Sequence, residues 1–92
     1  MDLTPRLLAG LTKLEFLGLR HTKVTDTGLK HLRGLSALKD LHLSDTGITD
    51  AGLEEVADLK ELKLLLLGET RVTDEAIRKW IALRPGREIL RR

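Results

Sequence analysis

Apolar residues return along this chain at a fixed interval of 24 residues. Leu14, Leu17 and Leu19 come back as Leu38, Leu41 and Leu43, and again as Leu62, Leu65 and Leu67. The register continues through Val24, Ile48 and Val72, then Leu29, Leu53 and Ile77, then Leu32, Val56 and Trp80, and closes on Leu35, Leu59 and Leu83. Inside each copy the spacing changes. Leu17 and Leu19 are two apart, which sends both to one side of a strand. Leu29 and Leu32 are three apart, which places them on one face of a helix. Polar residues keep the same register: Thr22, Thr46 and Thr70, then Thr25-Asp26, Thr49-Asp50 and Thr73-Asp74. Thr25, Thr49 and Thr73 are predicted helix N-caps, and the Asp after each favours the positive end of a helix. Each copy therefore reads strand, turn, helix, and a strand–helix–strand crossover builds a right-handed parallel unit. A repeat of between about 20 and 50 residues marks a solenoid, whose units bury their apolar faces only by stacking on neighbours.

Leu14-x-x-Leu17-x-Leu19-x-x-Thr22-x-Val24 resembles the leucine-rich repeat, whose pattern is L-x-x-L-x-L-x-x-N/C-x-L. Three copies agree at ten positions over residues 14–83. The departure is Thr at the usual Asn or Cys position, and the Val-Thr-Asp-x-Gly-Leu tail is similar to the cysteine-containing and bacterial sub-types. The resemblance implies a short right-handed leucine-rich-repeat solenoid of the α/β class. A curved parallel sheet would line the concave face, with helices on the convex face and a role in binding other proteins. Thr22, Thr46 and Thr70 are expected to stack inside it, tolerable only if their hydroxyls satisfy turn backbone groups.

One domain over 1–92 is expected. Residues 1–13 read as a truncated N-terminal repeat and cap helix, because Thr4-Pro5 is an N-cap followed by proline and Leu8-Ala9-Gly10-Leu11 matches Leu32-Arg33-Gly34-Leu35. Full repeats follow at 14–37, 38–61 and 62–85. In the third, Trp80 stands where the others have Leu32 and Val56, and is expected to cover the last layer. Pro85-Gly86 breaks the helix, and 86–92 reads as a partial strand, with Ile89 matching Leu65 and with Arg87, Arg91 and Arg92 as a charged guard on its edge.

Composition narrows the function classes. There is no cysteine, so disulfides and thiolate metal sites are excluded. No apolar run reaches the roughly 18 residues of a membrane span, and the first residues lack a signal-peptide pattern. Together these accord with a cytoplasmic location and no membrane partner. The net charge of +2 hides a layering. The copy 14–37 carries four Lys/Arg against two acids, the copy 38–61 two against seven, and the copy 62–85 five against three. The basic layers are split by an acidic one and hold no aromatic to stack a base, which argues against nucleic acid. Glu15 facing Lys39, Lys30 facing Glu54 and His31 facing Glu55 predict exposed cross-repeat ion pairs, each worth about 0–1 kcal/mol.

Alternation leaves a second set of strand residues on the concave face. Its rows run Phe16, Asp40, Leu64; then Gly18, His42, Leu66; then Arg20, Ser44, Gly68; then His21, Asp45, Glu69. Phe16, Leu64 and Leu66, with Leu90 beside them, are large apolar groups that nothing in the pattern covers, and neighbours of this kind on one sheet indicate a contact surface. Asp40-x-His42-x-Ser44 has the acid, base and nucleophile order of a relay. Same-face residues lie about 6.5–7 Å apart along a strand, too far for the bonds a relay needs, so Ser44 is read as an exposed surface polar and no enzyme activity is expected. His21 and His42 are offset on neighbouring strands and cannot share a metal ion. His21 is expected to relieve the Asp45 and Glu69 carboxylates in its row. The glycines are isolated, so no phosphate loop is formed, and no cofactor is expected.

The sequence thus predicts a protein- or peptide-binding module whose concave face uses Phe16, Arg20, Asp40, His42, Ser44, Leu64 and Leu66. The alternative is a structural, self-assembling unit, or an engineered or excised array with no dedicated ligand. Either accommodates a homodimer formed through an edge strand or the Phe16/Leu64/Leu66 surface.

Overall fold

The computed structural model of the chain describes residues 10–92. Four strands form one parallel sheet in sequence order: β1 Phe16–Gly18, β2 Asp40–His42, β3 Leu64–Leu66 and β4 Glu88–Leu90. Between them lie α1 Asp26–Leu29 with a 3-10 turn over Lys30–Leu32, then α2 Asp50–Glu55 and α3 Asp74–Leu83. The register is the sequence repeat itself. Leu17 pairs with Leu41, Leu41 with Leu65, and Leu65 with Ile89. Beyond the strands the ladder continues, Leu19 N–H to His42 carbonyl at 2.8 Å, Leu43 to Leu66 at 2.9 Å and Leu67 to Leu90 at 2.8 Å. Residues 1–9 of the expected N-terminal cap over 1–13 lie outside the described residues.

The core is the repeated apolar set. Leu17, Leu41 and Leu65 face Leu29, Leu32, Leu53 and Val56 from the helical segments, and all belong to one buried cluster. Leu19, Leu43 and Leu67 extend it toward Val24, Ile48 and Val72. One polar row sits beside it on the predicted condition. The Thr22, Thr46 and Thr70 hydroxyls donate to the carbonyls of Leu19, Leu43 and Leu67 at 2.6, 2.6 and 2.8 Å. Each bond closes the turn after its strand, so a buried hydroxyl costs little.

Thr49 and Thr73 cap their helices, accepting from Ala51 N–H at 3.3 Å and Ala76 N–H at 3.2 Å. The aspartate after each Thr does more than the sequence reading expected. Asp26 accepts from the Thr49 N–H at 2.7 Å and the Thr49 hydroxyl at 2.5 Å, one repeat away. Asp50 holds Thr73 in the same manner, at 2.7 and 2.9 Å. Each repeat is thus stapled to the next by a charged acceptor on a helix N-cap, and bonds to charged groups are the stronger kind. Gly52 is part of the staple, because a Cβ built there would overlap the Asp26 carboxylate.

Where the staple runs out of repeats, arginines take over. Asp74 accepts from Arg91 Nη2 at 3.0 Å, and the same nitrogen donates to the Val72 carbonyl at 2.5 Å. Trp80 is 3% exposed and carries the Arg87 guanidinium 4.2 Å from its ring centre. Arg87 also donates to the carbonyls of Ala57 at 2.8 Å and Leu59 at 2.9 Å. Burial, with Arg84 nearby, lowers the Arg87 pKa below its ordinary value, and Asp58 opposes this. The expected edge guard is therefore corrected: Arg87 is buried as a lid on Trp80 and Arg91 is tied to Asp74, which leaves Arg92 exposed.

Candidate functional site

The strands bury Leu17, Leu41 and Leu65 toward the helices, so the intervening residues stand on the opposite, open face of the sheet. The predicted rows are realised there. Phe16, Asp40, Leu64 and Glu88 lie side by side, and so do Gly18, His42, Leu66 and Leu90. Phe16 is 53% exposed, and its ring meets His42 edge-on, with centroids 4.7 Å apart and planes at 80°. Leu64, Leu66 and Leu90 are half-buried beside this aromatic pair, as is Asp40, and Arg20 is exposed at the end of β1. The face offers an aromatic edge and an aliphatic strip, with Asp40 set between Phe16 and Leu64 and Glu88 beyond Leu64.

Ser44 departs from expectation. It is 4% exposed, and its hydroxyl donates to the Arg92 carbonyl while accepting from the Gly68 N–H at 3.2 Å. The last residue crosses Gly68, where any Cβ would overlap the Arg92 backbone. The Gly68 N–H also reaches that carbonyl at 3.2 Å. Ser44 is thus a buried link between β2, β3 and the C-terminal segment, and it is removed from the exposed set. No relay runs through it, because its hydroxyl is committed to backbone groups and the His42 ring lies against Phe16.

The margin row was anticipated in part. His21 Nδ1 hydrogen-bonds the Asp45 carboxylate, as its position beside that acid predicted. The backbone was not anticipated. His21, Asp45 and Glu69 all adopt left-handed conformations, with φ of 57°, 56° and 58°. Non-glycine residues seldom take this region, although Asp and His visit it more often than most, and Glu does not announce it in a sequence. Among cross-repeat ion pairs, Glu15 meets Lys39 at 3.4 Å as expected, whereas Glu55 takes Arg33 in place of His31. Among the described residues no three His, Asp or Glu side chains converge as metal ligands, and no helix is long and apolar enough to cross a membrane.

Four parallel strands linked through stapled helical segments, with one leucine core, define a short α/β repeat solenoid. The sequence agrees: residues 10–32 and 34–57, just over half of the chain, match the family described as Leucine Rich repeat. The chain belongs to the leucine-rich repeat family. Proteins of this family typically serve as non-enzymatic scaffolds that bind other proteins. In structure, the chain is similar to an internalin (inlF) from Listeria monocytogenes, with a TM-score of 0.75 and 24% identity. That likeness covers 90% of this chain and 23% of the internalin, so the chain spans about a quarter of that protein's length. No curated protein matches the chain in sequence.

Proposed function

We propose that this protein is a binding module that holds a protein or peptide segment on the open face of its sheet. Phe16, His42, Leu64 and Leu66 make the apolar contact, Asp40 sets orientation from between Phe16 and Leu64, and Arg20 does so from beyond β1. The observation that carries this reading is Phe16. It is the largest exposed apolar side chain on the sheet, braced by His42 and continued by Leu64 and Leu66. Aromatic anchors surrounded by near-neutral contacts are what protein interfaces use. The sheet supplies these groups on short strands fixed by their neighbours, so little ordering cost is added on binding.

The same surface accommodates a second copy of the chain at high concentration, which is the competing reading. Selection of peptides from a displayed random library, with the L64D/L66D double variant as counter-target, separates the two. The module reading expects peptides that bind the wild type and are lost on the double variant. Light scattering that shows dimers abolished by Phe16→Glu, with no peptide enriched, would replace it with self-association.

A further inference from the structure

The two seams on the helical face are not equivalent. Between α1 and α2, Arg33 pairs with Glu55 across the groove. One repeat later the same two positions hold Ala57 and Lys79. Lys79 turns instead to Glu75 on its own helix, 3.3 Å away. The pair that spans the first seam therefore has no counterpart at those positions in the second. The helices also differ in length, ten residues in α3 against six in α2. The last turn of α3 runs beyond its neighbour and leaves Leu83 66% exposed. What remains between α2 and α3 is an open groove of about 340 Å³. Leu53, Ala57, Ala76 and Trp80 line its apolar part.

Its rim is acidic. Asp50, Glu54 and Glu75 stand there against the single cation Lys79. Asp50 is held by Thr73 and Glu75 by Lys79, which leaves the exposed Glu54 without an ion pair among the described residues. Glu54 belongs to the copy with seven acids against two bases, so the field around the groove favours a cation.

We propose that this groove is a second interaction surface, which takes a short cationic peptide segment bearing aliphatic side chains. An aliphatic group covers Ala57, Ala76 and the exposed side of Leu83, and a Lys or Arg beside it meets Glu54. The groove lies on the opposite side of the sheet from Phe16, so this proposal stands or falls apart from the open-face reading.

Trp80 is the only tryptophan in the chain, so its emission reports on this groove directly. The probe is a blocked hexapeptide of alternating leucine and lysine, titrated into the whole chain. Control peptides carry glutamate for lysine, or serine for leucine. The expected result is a saturable change in emission with the first peptide, at least about tenfold weaker with either control. The A57R/K79E variant restores the ion-pair residues of the first seam; it should abolish the response without lowering the melting temperature. Glu54→Lys should weaken binding about tenfold, and Phe16→Glu should leave it unchanged. No response, an equal response to the acidic peptide, or a full response in A57R/K79E would overturn the proposal. Emission that changes on dilution of the protein alone would assign the groove to a second copy, and would also overturn it.

Discussion

Leu65 and Leu66 are neighbours on β3, yet Leu65 is fully buried against the helices and Leu66 stands half-buried on the open face. The difference extends across the sheet. On the helical side one row reads Leu17, Leu41, Leu65, Ile89, nearly one residue repeated. On the open side the matching row reads Phe16, Asp40, Leu64, Glu88. The inner rows must fill the same space in every layer, and close packing tolerates little change in volume. The open rows carry no such constraint. Repetition in this chain marks what holds the array together, and departure from repetition marks the face we propose for recognition.

The strongest way to break the comparison is to truncate the middle inner row. Leu41 is completely buried and packs between layers on both sides. Leu41→Ala should cost about 2–5 kcal/mol, enough to leave a domain of this size largely unfolded at 37 °C by circular dichroism. A melting temperature near wild type would mean that the inner rows are not the load of the fold.

The staple gives a sharper test, because two effects oppose each other. Gly52→Ala would gain about 1 kcal/mol from helix propensity. It also drives a Cβ into the Asp26 carboxylate that holds Thr49. Loss of that partly buried, charged acceptor costs about 1–3 kcal/mol, so Gly52→Ala should destabilise in the wild type. In an Asp26→Ala background only the 3.1 Å approach of the new Cβ to Leu29 remains, so the same change should cost less than it does in the wild type. Chemical denaturation of the four proteins of this cycle reads the difference directly.

Two residues that the sequence placed together on the open face, His42 on β2 and Ser44 in the turn after it, should behave differently. Ser44→Ala removes a hydroxyl bonded to Arg92 and Gly68, and should lower stability by about 1 kcal/mol, or about 4–8 °C in a domain this small. His42→Ala, which touches Phe16 on the surface, should shift stability by less than about 0.5 kcal/mol. Equal shifts in the two thermal melts would put both residues on the same side of the comparison. The smallest effect expected is a gain. Glu69 holds a φ of 58°, and Glu69→Gly should stabilise by about 0.5–1 kcal/mol, since a left-handed residue with a Cβ carries about that much strain.

Much of this was legible in the residues because the signal was periodic. Strand register, the core leucines, the threonine row, Trp80 over the last layer and the final strand around Ile89 all follow from one 24-residue spacing. The staple was legible in principle: Asp26, Thr49 and Gly52 share that period, but local rules assign Asp to its own helix. Ser44 was not legible, because its burial depends on the backbone of Arg92 crossing Gly68, a contact 48 residues away in sequence. Arg87 was misread for a similar reason. It stands in register with the exposed Lys63, and only the indole of Trp80 and the carbonyls of Ala57 and Leu59 draw it inside. The left-handed row left little trace, since His21, Asp45 and Glu69 stand where a glycine or asparagine would mark the conformation.

The central claim is that one side of this sheet holds the fold and the other meets a partner, and adjacent residues on β3 test it most directly. Leu65→Ala and Leu66→Ala remove the same atoms one position apart. Their melting temperatures, together with their affinity for a peptide selected against the wild type, form one measurement. Leu65→Ala should lose about 2–5 kcal/mol of stability. Leu66→Ala should melt within a few degrees of wild type, yet bind the peptide at least about tenfold more weakly. Equal destabilisation by the two substitutions, or full affinity retained by Leu66→Ala, would contradict the account.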